Sequence, residues 1–414
     1  MMGSFKTSYV LDVYLQLFEE YQSTTLNLRV LWRDNIISMD QEHMKFVLAT
    51  GFPKFWRGKS QKERMELFLG EGIFNRDDEH RSIARPFFAR ERISDFDVFE
   101  RYSARTLGIV SSLEARNTAC DVQDLYGRFT LDTASEFLFG KNLDTLMDGI
   151  GLSSPIADKT FLEHLADSTE DTVRFQPLDH KILFRLSSQT ACTLTYITYF
   201  LAIHPDVAQK LRSEVLEHCG PTSPPTFDHF RNMKYMRAVI NETLRLFPPV
   251  PLNVRESRAA PCLLPPPDRT YFSDQRPLYM PAKTIIMYLP LLIQRNPALW
   301  GNDADEFRPE RWIDQESIAK YVANPTMFTP FSAGPRICIG QNYAYNQMSY
   351  FLVRLLQQFD RFTLATEFQP EGSHPPSEWK GRKGRQSFEK IWPSAALTLY
   401  VKGGLWVKFH KARL

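Results

Sequence analysis

One stretch constrains this chain more than any other: Phe331-Ser-Ala-Gly334-Pro-Arg336-Ile-Cys338-Ile-Gly340. Gly334 opens backbone angles that a side chain closes, and Gly340 lets a bulky group approach the backbone. From Gln341 to Gln357, the residues Tyr343, Tyr345, Met348, Phe351, Leu352 and Leu355 recur at near-helical spacing. The stretch therefore reads as a turn-rich loop that presents one cysteine and then opens a helix. A cysteine just before a helix N-terminus meets free N–H groups and the positive end of the dipole, which favour a thiolate. A thiolate held there suits an axial iron ligand. Outside such a setting, a lone cysteine is a small buried hydrophobe.

Two further motifs stand upstream, in order. Glu242-Thr-Leu-Arg245 lies on a helix predicted over 234–247, where residues three apart share a face and pair. Phe247-Pro248-Pro249 stops that helix. Phe307-Arg-Pro-Glu-Arg311-Trp312 follows some sixty residues later. Each motif alone reads as a surface salt bridge. Together with the cysteine loop, all three in one order, they resemble the cytochrome P450 superfamily of haem-thiolate monooxygenases.

The rest of the chain is consistent with one large core. It has 414 residues, 43% of them hydrophobic and 13% aromatic, enough for one big domain or two smaller ones. A net charge of +2, with lysine and arginine dispersed, carries no nucleic-acid signature. The five cysteines (Cys120, Cys192, Cys219, Cys262, Cys338) show neither CxxC nor zinc spacing, which favours free thiols in a reducing compartment. The most apolar run, 191–203, is shorter than the roughly 20 residues a membrane span needs. Lys6, Asp12, Glu19 and Glu20 interrupt the apolar positions of residues 1–22.

Periodicity predicts helices over 9–22, 93–113, 122–140, 181–203 and 207–218, with Asp40 capping one that runs through Ala49. Paired strands are expected at 25–32 and 35–39, and a single strand at 250–257. A hairpin is expected within 279–289 and another at 397–409, turning at Gly403-Gly404. Residues 141–180, with Gly149, Gly151, Ser153, Ser154 and Pro155, read as an irregular loop with at most one short helix.

The resemblance implies a mainly α fold with minor β: a single domain over 1–414, with a β-rich lobe at about 1–75 and a haem-binding half at 181–414. It implies haem b (iron protoporphyrin IX) held by Cys338, within a pattern whose other fixed positions are Phe331, Gly334, Arg336 and Gly340. Arg336, Arg255 and Arg81 take the places of propionate-binding arginines. Asp77 stands where the family has a tryptophan, four residues before Arg81. Glu242, Arg245 and Arg311 correspond to a buried network that locks the cysteine loop. The implied reaction inserts one oxygen atom into a C–H bond of a hydrophobic substrate, with electrons from NADPH through a reductase. Residues 387–393 and 400–408 are similar to fungal members related to alkane and fatty-acid hydroxylases. The implied location is the cytosolic face of the endoplasmic reticulum membrane; the family's anchor has no counterpart here, so a cytoplasmic location stays open.

The sequence departs from the pattern in two places. The helix at 181–203 matches the second half of the family's central helix. Its first half should carry an acid and a threonine that deliver protons during oxygen activation, and Ser188 and Gln189 stand there instead. Segment 141–180 is short for the helices that roof the substrate pocket, so part of that roof is expected to be missing. Two other readings therefore stand beside the monooxygenase: a haem-binding protein without that activity, from a decayed or mis-spliced gene, and a haem enzyme for rearrangement or peroxide chemistry.

Overall fold

The computed structural model describes residues 8–29, 32–59, 61–63, 88, 93, 96–140, 143–147, 177–267 and 277–412, with backbone alone for 139 and 177–187. In chain order the main elements are α1 (Asp12–Glu20), β1 (Thr25–Asn27), β2 (Asn35–Ser38), α2 (Gln41–Lys45), β3 (Phe55–Trp56), α3 (Phe96–Ala115), β4 (Cys120–Asp121), α4 (Val122–Phe139) and α5 (Pro177–Ile203). There follow α6 (Pro205–Cys219), α7 (Lys234–Leu246), β5 (Asn253–Ser257), β6 (Cys262–Leu264), β7 (Leu278–Met280) and β8 (Ile285–Tyr288). The chain closes with α8 (Gln341–Gln358), β9 (Phe359–Leu364), β10 (Pro393–Ala395), β11 (Leu399–Val401) and β12 (Trp406–Lys411). Among the described residues, no helix is long and apolar enough to cross a membrane.

The elements gather into two units, each drawn from three pieces of chain. The first comprises Met1–Lys59, Lys234–Gln341 and Glu367–Leu405. It contains a five-stranded sheet in the order β1-β2-β8-β5-β3, antiparallel except for the β2–β8 pair. Ile36, Ile37, Phe55, Ile286 and Tyr288 from the sheet bury with Met44, Val47 and Leu48 of α2 and the turn behind it. That turn is a single wide helical turn, Phe46–Thr50, continuing α2. Asp40 caps α2 as expected, accepting from the backbone N–H groups of Glu42 and His43.

The second unit comprises Ser60–Met233, Asn342–Thr366 and Trp406–Leu414. It holds α3, α4, α5, α6 and most of α8, with a three-stranded sheet in the order β4-β12-β9. Every residue of α5 from 190 to 201 is buried. This explains why that run is apolar all round, the mark of a helix inside a large core. Two of its threonines satisfy their hydroxyls within the helix: Thr193 donates to the Gln189 carbonyl (3.0 Å) and Thr195 to that of Ala191 (2.8 Å). Thr198 instead meets the Tyr126 hydroxyl of α4 at 3.0 Å. Tyr126 and Phe129 also pack on Phe351 of α8.

Both expected hairpins are corrected. Within 279–289, β7 pairs with β6, while β8 lies between β2 and β5 in a different sheet. Ser257, at the end of β5, holds the connection: its hydroxyl donates to the Pro281 carbonyl (2.8 Å) and accepts from the Thr284 N–H (3.0 Å). Within 397–409, β11 pairs with β10, and β12 pairs with β9 and β4. There Gln369 Nε2 donates to the carbonyls of Lys402 (2.8 Å) and Gly404 (3.3 Å), capturing the turn that a hairpin would have closed on itself. Gly403 sits at φ 78°, and a Cβ there would fall 2.5 Å from Ser373 Oγ. β1 covers 25–27 of the strand expected at 25–32, and α5 begins at Pro177 rather than 181. Most of segment 141–180, and Arg81, lie outside the described residues.

Candidate functional site

The site is built from α7 outward. Ten of the helix's thirteen residues are buried, Glu242 and Arg245 among them. Spacing of three places both on one face of the helix, within reach of each other. Arg245 Nε and Nη2 donate to the Glu242 carboxylate at 2.9 and 2.8 Å, and both side chains are fully buried. Arg245 donates further to the carbonyls of Gln294 (2.9 Å), Ala304 (2.7 Å) and Glu306 (3.0 Å). All five N–H bonds of the guanidinium are thereby used.

The third motif closes on the same carboxylate. Arg311 Nε donates to Glu242 Oε1 at 2.9 Å, and its Nη2 reaches the Asp303 carbonyl at 3.0 Å. The Arg308 backbone N–H adds 3.0 Å to Oε1, and the Trp312 indole N–H 2.9 Å to Oε2. Trp300 lies against both guanidiniums, 5.0 Å from Arg245 and 5.9 Å from Arg311. Burial pushes the Glu242 carboxyl up, but the Arg245 charge and hydrogen bonds, then Arg311 and the Arg308 N–H, outweigh it and hold the carboxyl below its ordinary value. Removing one partner from such a cluster leaves a buried charge unmatched, at a cost of about 3–5 kcal/mol. The motif by itself assigns Trp312 no role, and the signal for one is an indole donor directly after Pro-Glu-Arg.

The cysteine loop belongs to the same unit. A tight turn, Gly334–Arg336, precedes Cys338, whose N–H donates to the Phe331 carbonyl at 2.9 Å. Gly334 has φ 62°, and a Cβ there would fall 2.0 Å from the Leu48 carbonyl, so only glycine lets the loop lie against the Phe46–Thr50 turn. Ser332 also sits in the left-handed region, at φ 64°, and its buried hydroxyl has no hydrogen-bond partner among the described residues. None of the five cysteines is in a disulfide, and four are buried; Cys338 alone is not. Burial raises the thiols of Cys120, Cys192, Cys219 and Cys262, so those four are structural hydrophobes.

The other expected residues are distributed as follows. Arg336 ends the tight turn, half-buried, and Gly340 is buried immediately before α8. Arg255 on β5 donates to the Val254 carbonyl (2.8 Å) and to Asn253 Oδ1 (3.4 Å), and no carboxylate pairs with it among the described residues. Ser188 and Gln189 lie half-buried on α5, in the second unit.

These residues fit a haem. Among the described residues no group of three or more His, Cys, Asp or Glu could hold a bare metal ion. The glycine-shaped loop presents Cys338 outside the core, and a single cysteine sulfur so placed suits an iron whose other ligands come from a macrocycle. The sequence matches the family model for cytochrome P450 over residues 4–189 and 187–378. Similar proteins include cytochrome P450 monooxygenase himC of Aspergillus japonicus, 32% identical over 418 residues, 84% of this chain and 73% of that protein. Cytochrome P450 52A13 of Debaryomyces hansenii is 27% identical over 89% of this chain and 83% of its own length. Cytochrome P450 52A6 of Candida tropicalis is 28% identical over 87% and 82%. This chain belongs to the cytochrome P450 family of monooxygenases, a membership that implies a haem cofactor. The two matched pieces meet at 187–189, where Ser188 and Gln189 stand.

Proposed function

We propose that this chain is a haem-thiolate monooxygenase with Cys338 as the proximal ligand, acting on a hydrophobic substrate of the fatty-acid or alkane type. Electrons come from NADPH through a flavoprotein reductase, at the cytosolic face of the endoplasmic reticulum membrane, and residues 1–414 act as one catalytic domain. The haem, when bound, supplies oxygen activation and the insertion of one atom into a C–H bond. The chain's own residues ligate and orient. Cys338 would hold the haem iron through its sulfur, and its backbone N–H fixes the loop on the Phe331 carbonyl. As the family resemblance implies, Arg336, Arg255 and Arg81 would neutralise the propionates. Glu242, Arg245 and Arg311 keep the scaffold behind the loop rigid. The observation that carries the reading is Cys338 itself, the one cysteine left outside the core, in a loop that only glycine at 334 permits.

The test is the ferrous–carbonyl spectrum of the reconstituted protein. The unmodified chain should show the band typical of thiolate ligation, and Cys338→Ala should abolish it. A thiolate-type band that survives Cys338→Ala overturns the assignment.

One observation favours a second reading, in which haem is bound but oxygen is activated poorly. Neither Ser188 nor Gln189 is an acid, and general acid–base delivery contributes roughly 10²–10⁴-fold. Reduced coupling of NADPH consumption to product separates this reading from the first.

A further inference from the structure

One buried amide sits between the two halves of the first unit's machinery. Gln294 follows the short helix Pro290–Ile293 and is fully buried. Its Nε2 donates to the carbonyls of Leu244 (2.9 Å) and Arg245 (3.0 Å). Both lie at the C-terminal end of α7, where carbonyls run out of intrahelical donors. Its Oε1 accepts from the Thr329 N–H at 3.0 Å. Its own backbone carbonyl accepts from Arg245 Nη1 at 2.9 Å. The amide's orientation follows from its partners: turned over, it would set an oxygen against two carbonyls and an NH₂ against an N–H.

From Thr329 the bonding runs on into the loop. The Thr329 carbonyl accepts from the Ser332 N–H (3.0 Å), and the Phe331 carbonyl from the Cys338 N–H (2.9 Å). The Thr329 hydroxyl reaches Met44 Sδ at 3.4 Å, beside the turn on which Gly334 rests. One side chain thus joins the helix that carries Glu242 and Arg245 to the backbone that carries Cys338.

We infer that Gln294 is a positioning residue for Cys338, passing the rigidity of the Glu242–Arg245–Arg311 cluster to the cysteine loop. This rests on the assignment of Cys338 as the thiolate ligand. The amide spans a donor site and an acceptor site at once, which an apolar side chain of equal length cannot do. Losing it frees the Thr329 N–H and two helix-end carbonyls together, and a buried group left unmade costs more than the bond it made.

The experiment compares the haem-loaded full chain with Gln294→Leu and with Ile286→Val, a sheet-core control for lost stability. The readouts are the ferrous–carbonyl spectrum and the native-state exchange rate of the Thr329 amide. Gln294→Leu should convert part of the thiolate-type band to the thiol type and speed Thr329 exchange by about tenfold. Ile286→Val should leave the band intact. Gln294→Asn, one methylene too short to span both partners, reads the same way if the leucine variant does not fold. An intact band with unchanged Thr329 exchange in these variants overturns the inference. If the unmodified protein lacks the thiolate band, the ligand assignment itself falls. The positioning link is then read on the apoprotein: faster Cys338 alkylation with faster Thr329 exchange supports it, and unchanged rates overturn it.

Discussion

Helix α7 and residues 190–201 of α5 are both buried on nearly every side, yet they handle polarity in opposite ways. α7 carries a carboxylate that receives five N–H bonds, from Arg245 (two), Arg311, Arg308 and Trp312. The described part of α5 carries hydroxyls, two of which bond only to their own helix. The buried carboxylate draws three of its five bonds from distant chain, whereas Thr193 and Thr195 find an acceptor one turn back. The Glu242 cluster is therefore complete, while α5 is packed but carries Ser188 and Gln189 where the family resemblance implies an acid and a threonine. Stability and oxygen chemistry can be tested separately on the two helices.

The largest expected effect is on α7. Glu242→Gln leaves two buried guanidiniums without their carboxylate and should cost about 3–5 kcal/mol in denaturant unfolding, with haem incorporation falling alongside. A cost under 1 kcal/mol would break the contrast. The same substitution should change the acid limb of stability. Because the folded-state pKa of Glu242 lies below its unfolded value, its contribution is fully present above that unfolded value and is lost as pH falls through the folded one. The Glu242→Gln protein should lack that loss, so the two stability curves should converge towards low pH.

Next is the α5 pair. Ser188→Asp combined with Gln189→Thr should raise the ratio of hydroxylated product to NADPH consumed, with a rate gain on the order of 10²-fold if proton delivery is limiting. The assay uses a fatty acid, NADPH and a reductase. Tight coupling in the unmodified chain would remove the contrast and restore the ordinary monooxygenase.

Smaller effects sharpen the same comparison. Trp312→Phe deletes one donor to a charged acceptor, so it should cost about 1.5–3 kcal/mol and let the Glu242 carboxyl titrate at higher pH. Thr195→Val removes a hydroxyl bonded only one turn back, and urea unfolding should register about 0.5 kcal/mol or less in either direction. A larger loss from Thr195→Val than from Trp312→Phe would mean the two helices do not differ as described.

Legibility in the sequence tracked distance along the chain. Helix periodicity lies within a few residues, so α4, α6, α7 and α8 stand close to where spacing puts them, and Asp40 caps the helix it was expected to cap. The Glu242–Arg245 pair was readable for the same reason. The strand partners were not. β7 and β8 are four residues apart, as are β11 and β12, yet each member pairs elsewhere, because Ser257 and Gln369 take up the backbone groups of the connections. Arg311 could be joined to Glu242 only through the resemblance of its motif, since 69 residues separate them.

By itself, then, the sequence determined the cysteine loop, the helix behind it and the glutamate–arginine face, since each depends on residue types at short, fixed spacings. Tertiary structure alone decided that Trp312 and the Arg308 N–H complete the Glu242 carboxylate, that Gly334 meets the Leu48 carbonyl, and that Gln294 binds Leu244, Arg245 and Thr329 across 50, 49 and 35 residues. Burial demands that every polar group find a partner, and which distant atom meets it is settled only when the chain has closed around it.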